Sequence, residues 1–339
     1  MSPIKHCKDK AFHIQSNIFI ALVPIIIWGV YVFGTRALLL LATSTVFSIV
    51  TELSILAVSK NLKSFSIFRP VITGILTGLI FPVSTPLWAI ALAGFIASSI
   101  SLIRFRGTLS CTLANPVASA GIILYGLFSA AVNCNTAPFN TFSFSQLSTP
   151  NAERVMTVLE SIKNGTDSIT NSTLLNAFLG RDSGAIGEIS AFLIILCGIF
   201  LIIKNYTSFH IPVAFISTVF LISFFLPVGN CEAIYSASVE TLSGGVLFSA
   251  FFVATMTCSS PITKNGKLFF GILCGIITVF IRRFTSIADG TLIAVGIASV
   301  FSQIIDNLTG NKYFSFMNDR KSESIPQKTN LEALLKDGE

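Results

Sequence analysis

Along the chain, long apolar runs alternate with short polar segments, and the period-two alternation of strands is absent. Runs over 18–33, 37–58, 189–203 and 211–228 approach the roughly 20 residues that cross a hydrocarbon core of about 30 Å. The pattern predicts about ten spans, near 17–34, 37–59, 70–84, 86–103, 113–133, 187–204, 208–228, 243–258, 267–282 and 289–305. Lipid offers backbone groups no partners, so closed helices rather than open strands are expected. The fold class is therefore all-α: a polytopic membrane protein with about ten transmembrane helices. The pattern divides the chain into an amino terminus (1–16), a first membrane half (17–133), a polar loop (134–186), a second membrane half (187–309) and a polar tail (310–339).

The two halves share an order of features. In the first, a run from Ile72-Thr73-Gly74 ends in the break Pro82-Val83-Ser84-Thr85-Pro86; a second run reaches Arg104-Phe105-Arg106, and a third opens at Asn115-Pro116. In the second, a run from Gly244-Gly245 ends in Cys258-Ser259-Ser260-Pro261, the next reaches Arg282-Arg283, and the last opens at Asp289-Gly290. Five predicted spans separate corresponding elements, so the repeat is expected to be inverted, an architecture of transporter-like folds whose functional centre lies at the repeat interface. Proline removes a donor and breaks the helix. The breaks are thus expected to be buried in protein or to line a cavity.

Composition agrees with the pattern: 52% of the 339 residues are hydrophobic and 11% charged, with a mean hydropathy of +0.78. The net charge of +6 follows topology, since cytoplasmic loops collect Lys and Arg. Most basic residues fall in loops on the amino-terminal side of the membrane. Arg36, Arg154, Lys163, Arg181, Arg282 and Arg283 fall opposite, which predicts both termini in the cytoplasm and 134–186 outside it. No basic-aromatic cluster points to nucleic acid. The seven cysteines (Cys7, Cys111, Cys134, Cys197, Cys231, Cys258 and Cys274) form no CxxC and no metal-ligand spacing with His, so no metal site is expected from this chain alone. Catalytic triads, Walker loops and dinucleotide fingerprints are absent, and no catalytic residue is assigned.

The ordered set Thr73-Gly74, Pro82 through Trp88, Asn115-Pro116, Gly180 through Glu188, His210-Ile211-Pro212-Val213, Gly244-Gly245, Phe251 through Thr255, Ser260 through Thr263, Gly266-Lys267 and Asp289-Gly290 resembles one family. It is that of the D subunit of the Rnf electron-transport complex, related to the B subunit of the sodium-pumping NADH:quinone reductase. The resemblance implies a subunit of the bacterial inner membrane that works with other Rnf subunits in a lipid bilayer. That complex moves electrons between ferredoxin and NAD and drives Na⁺ or H⁺ across the membrane. It also implies FMN, esterified by a flavin transferase to a threonine on the outer side, and leaves room for a riboflavin.

The residue matching the acceptor is Thr173. Asn171 and Ser172 stand where relatives carry glycine and alanine, and these departures count against the ester, because glycine admits close backbone approach most cheaply. At Thr255-Met256-Thr257 the chain lacks an acid that relatives often carry. An FMN phosphate needs cationic donors and free N–H groups at helix starts. Arg181 is a candidate phosphate clamp or a solvated loop arginine, and Gly184 and Gly187 are candidates for exposed N–H groups. Glu188 reads as a helix cap, and Asn115 and Asp289 as caps or as polar residues at the central interface. Two other readings stay open: a solute channel or transporter of the same architecture, and a structural anchor that has lost its flavin.

Overall fold

The longest apolar runs form full helices, the first of them continuing through Pro24; at Pro82 and Pro86, and again at Pro261, the runs stop and shorter helices are joined by buried turns. The computed structural model describes residues 3–60, 65–102, 114–132, 135–136, 138–139, 155–164, 171–180, 183–228, 232–256, 259–285, 287 and 289–309. Among these the regular structure is entirely helical, as expected. The first half runs α1 (Pro3–Phe33), α2 (Thr35–Val58), α3 (Phe68–Leu79), α4 (Leu87–Leu102), α5 (Pro116–Leu127) and a short α6 (Ser129–Val132). The polar loop contributes α7 (Val158–Asn164) and α8 (Asn171–Leu179). The second half runs α9 (Ala191–Ile203), α10 (His210–Phe225), α11 (Ala233–Leu242), α12 (Val246–Phe248, continued by a π-helical turn over Ser249–Val253), α13 (Lys264–Phe284) and α14 (Thr291–Thr309).

Phe12–Phe33, Thr35–Val58 and Thr291–Thr309 are each long and apolar enough to cross a membrane. Five expected spans instead hold shorter apolar helices, α3, α4, α5, α9 and α10. The run predicted over 243–258 is helical only from Val246 to Val253 and continues a helix that the hydropathy pattern misses, α11, across a 57° bend. Gly244, at φ 73°, makes that bend, in the left-handed region that favours glycine. Ser236, Ser238, Glu240 and Thr241 make α11 too polar to read as membrane sequence.

Each break is held by a side chain from another element. After α3, the segment from Ile80 to Thr85 is buried. Arg36, at the start of α2 and 1% exposed, donates from Nε to the Val83 carbonyl at 2.7 Å and from Nη2 to that of Thr85 at 3.3 Å. The carbonyls of Leu79 and Phe81 accept from the Gly187 and Ile186 N–H groups at 2.8 and 3.3 Å. In the second half, Asn115 Nδ2 donates to the Val253 carbonyl at 2.7 Å and to Ser259 Oγ at 2.9 Å. Farther along, Asp306 accepts from the Ile262 N–H at 3.0 Å and the Thr263 N–H at 3.2 Å. A buried polar group left without a partner costs about 1–3 kcal/mol, so these residues are what make broken helices tolerable in an apolar core.

Small residues let the helices approach. α2 packs on both α3 and α4, and α10 on both α11 and α13, while α14 with α5 and α1 with α9 join the halves. A Cβ on Gly94 would lie 2.6 Å from the Ser44 carbonyl oxygen, and one on Gly74 2.6 Å from the Thr45 Cα. Backbone cannot move aside as a side chain can. Gly94→Ala is therefore expected to lower stability by about 1–3 kcal/mol. Gly126→Ala, where a Cβ meets nothing within 4 Å, should change it by less than about 0.5 kcal/mol. Thermal unfolding of both variants in detergent checks the contrast.

Candidate functional site

At the end of the bundle where Arg36 meets the first break, the elements enclose a cavity of about 600 Å³. Ile80 and Tyr125 form part of its wall; the Tyr125 hydroxyl donates to the Ile80 carbonyl at 3.4 Å and its ring stacks on Phe81 with centroids 5.5 Å apart. Gly184, Ala185 and Glu188 line it from the segment before α9, Ser243 and Gly244 from the α11–α12 bend, and Asp289 and Leu292 from the start of α14. Residues Thr157 to Glu160, and Ala177 of α8, line it from the polar loop.

The polar loop is tied down around this space. Ser183 Oγ donates to the Met156 carbonyl at 3.0 Å, and Lys163 Nζ donates to the Ile287 carbonyl at 3.1 Å and to that of Thr285. A Cβ on Gly244 would lie 2.7 Å from a Leu159 methyl. The glycine thus lets α7 sit directly on the α11–α12 bend.

Two arginines organise the charges. Buried Arg282 donates from Nη1 to the Glu240 carbonyl at 2.5 Å and from Nη2 to Asp289 Oδ1 at 2.9 Å. Asp289 Oδ2 accepts from the Gly245 N–H at 3.0 Å and from Thr291 Oγ1 at 2.9 Å. Arg283 donates to Glu240 Oε1 at 2.7 Å and to the Leu226 carbonyl at 2.5 Å, while Ser223 Oγ donates to Glu240 Oε2 at 2.7 Å. The arginine pair therefore fixes α11, the glycine bend and the start of α14 against α13.

Of the residues singled out from sequence, Thr173 falls on α8 one turn before Ala177, and its side chain lies outside the described residues, as does Arg181. Gly184 lines the cavity, and a Cβ there would meet nothing within 4 Å. The Gly187 N–H is already donated to Leu79, and a Cβ would lie 2.9 Å from the Leu79 Cβ, so this glycine serves close packing. Glu188 does not cap α9: Ser190 does, accepting from the Leu193 N–H at 3.4 Å. Asn115 caps α5, accepting from the Val117 and Ala118 N–H groups at 3.1 Å, and also joins the two halves. Cys197 and Cys274 are buried single thiols; the other five cysteines have no described side chain. Sequence reasoning does not mark Arg36, Tyr125, Glu240 or Ser243 as site residues. A basic residue just inside an apolar run is the available signal for Arg36; the others depend on contacts between distant segments.

The model of the NQR2, RnfD, RnfE family matches residues 1–315. Over 322 residues the chain is 29% identical to the D subunit of the Na⁺-translocating ferredoxin:NAD⁺ oxidoreductase complex of Acetobacterium woodii, covering 94% of this chain and 96% of that one. It is 26% identical over 319 residues to the D subunit of the proton-translocating ferredoxin:NAD⁺ oxidoreductase complex of Clostridium ljungdahlii (91% and 93% covered). To the D subunit of the ion-translocating oxidoreductase complex of Methanosarcina acetivorans it is 28% identical over 310 residues (90% and 93%).

The ion pair at the cavity wall gives a direct test. Asp289→Ala leaves Arg282 buried without its counter-charge and is expected to cost about 3–5 kcal/mol. Combining it with Arg282→Met should cost less than the two single changes added together, as read by denaturation of the purified variants in detergent.

Proposed function

The chain belongs to the NQR2, RnfD, RnfE family, and on that premise we propose that it is the membrane subunit of an ion-translocating ferredoxin:NAD oxidoreductase complex, relaying electrons through FMN on the extracytoplasmic side. The observation that carries this reading is the cavity beside α8, in a chain related over nearly its whole length to subunits of such complexes. A volume of about 600 Å³ falls in the range of about 300–1,000 Å³ for cofactor-sized ligands.

The lining suits a flavin ring better than a phosphate. Its described residues mix apolar side chains with Tyr125, Glu160, Glu188 and Asp289, and Arg282 is already bound to Asp289. The phosphate is assigned to Thr173, in the first turn of α8, and to Arg181, two residues past its last one in sequence, with Gly184 leaving room at the cavity edge. When bound, the flavin supplies the electron-carrying chemistry. The chain's own part is to position it, with Tyr125 anchored on Ile80, and to cover it with α7.

The same reading assigns both termini to the cytoplasm of a bacterial inner membrane and the cavity to the outer side, following the distribution of Lys and Arg. It also assigns the two halves to an inverted repeat. In support, α2 packs on α3 and α4 as α10 packs on α11 and α13, and each half has one buried break pinned by polar side chains. The other Rnf subunits, and a flavin transferase where the ester forms, are the partners.

The test is flavin content of the purified complex before and after denaturation, with Thr173→Val alongside. The reading predicts one flavin held by this chain. Fluorescence that survives denaturation, is lost in Thr173→Val and accompanies a mass gain of FMN less water assigns the ester; flavin released on denaturation assigns noncovalent binding. Absence of any flavin would contradict the reading, leaving a structural anchor, or, with solute flux in liposomes, a transporter.

A further inference from the structure

On α8 the exposed face is the apolar one. Leu175, Phe178 and Leu179, at the helical spacing i, i+3 and i+4 that puts side chains on one face, are 59%, 36% and 48% exposed. Ala177, on the opposite side, is buried and lines the cavity. A surface helix in water turns its polar residues outward and its apolar stripe toward the core. In α8 the apolar stripe is turned away from the core instead, and something other than water must cover it.

The surroundings of α8 identify the covering. The helix packs on α9 and α11, and the Phe178 ring meets that of Phe192, at the start of α9, with centroids 5.7 Å apart. From Phe192 the exposed apolar row continues along α9 through Leu196, Ile199 and Ile203, on a helix with no polar side chain. In a multi-pass membrane chain a helix apolar all round is a membrane element, and its exposed row faces lipid. The carboxyl end of α8 supplies the depth. Gly180, at φ 89°, ends the helix so close to α1 that a Cβ there would lie 2.9 Å from Trp28 Nε1. Trp28 and Tyr31 stand near the end of α1 with ring centroids 5.5 Å apart, and Tyr31 is exposed. Trp and Tyr at the end of a span mark the level of the lipid headgroups. Thus α8 lies at that level, with its apolar face continuing the lipid-facing row of α9.

We propose that α8 is a membrane-surface helix: the face made by Leu175, Phe178 and Leu179 binds the phospholipids beside α9, while the opposite face closes the cavity. An apolar helix face settles into the boundary between headgroups and acyl chains. The bilayer thereby becomes part of the seat of the helix that carries Thr173, and the cavity wall at Ala177 is held by protein on one side and by lipid on the other. The surface requires only the membrane and stands without any flavin.

The test is photocrosslinking on the intact purified complex in vesicles of phosphatidylethanolamine and phosphatidylglycerol. The photoreactive amino acid p-benzoylphenylalanine replaces Leu175 in one preparation and, as a lipid-facing reference, Leu196 of α9 in another. After illumination, mass spectrometry of this chain is expected to show the added mass of one phospholipid at both positions. Leu179, on the same face of α8, takes the place of Leu175 should that variant fail to assemble. A crosslink from this face to another polypeptide of the complex overturns the proposal in favour of a protein partner. A phospholipid adduct at Leu196 with none on α8 overturns it in favour of a face open to water. Because the readout is the lipid adduct itself, a complex without flavin still answers the question.

Discussion

Backbone polar groups must find partners where water is excluded, and the whole structure depends on meeting that need. An unbroken helix does so by itself; a broken one needs help from elsewhere. Here that help is specific: Arg36 serves the carbonyls after α3, Asn115 the end of the π-helical turn, and Arg282 the carbonyl of Glu240. Each acts across 42 to 138 residues of sequence. The break near Val253 therefore does more than interrupt a span, because its repair by Asn115 ties the two halves together.

The cavity follows from the same repair. Where the first break is paired with Ile186 and Gly187, the segment leading into α9 is drawn against α3, and Glu188 is delivered to the cavity. Where Asp289 takes the Gly245 N–H, the α11–α12 bend is drawn to the start of α14, and Ser243 and Gly244 arrive as the facing wall. Polar groups committed to the backbone thus define the walls.

The breaks are legible in the sequence because Pro82, Pro86 and Pro261 cannot continue a helix, and the Asn115 cap because Asn-Pro is a helix start. The all-α membrane class follows from hydropathy alone. What escapes does so for physical reasons. α11 carries serines and a glutamate that lower its hydropathy, and Glu240 is neutralised by Arg283, 43 residues away. Glu188 resembles a cap because acids favour helix starts, but Ser190 lies nearer the first turn and takes that role. Gly187 reads as available to a phosphate because nothing in a sequence shows that its N–H is already donated to Leu79.

The proposed function makes the cavity between the polar loop and the two breaks the ligand-holding centre of this chain. A density map of the assembled complex containing it tests that most directly. Flavin-shaped density is expected between α8 and the wall formed by Tyr125, Gly184 and Asp289, with Arg36 and Asn115 still on their carbonyls. A cavity collapsed on itself or filled by a lipid tail would contradict this assignment.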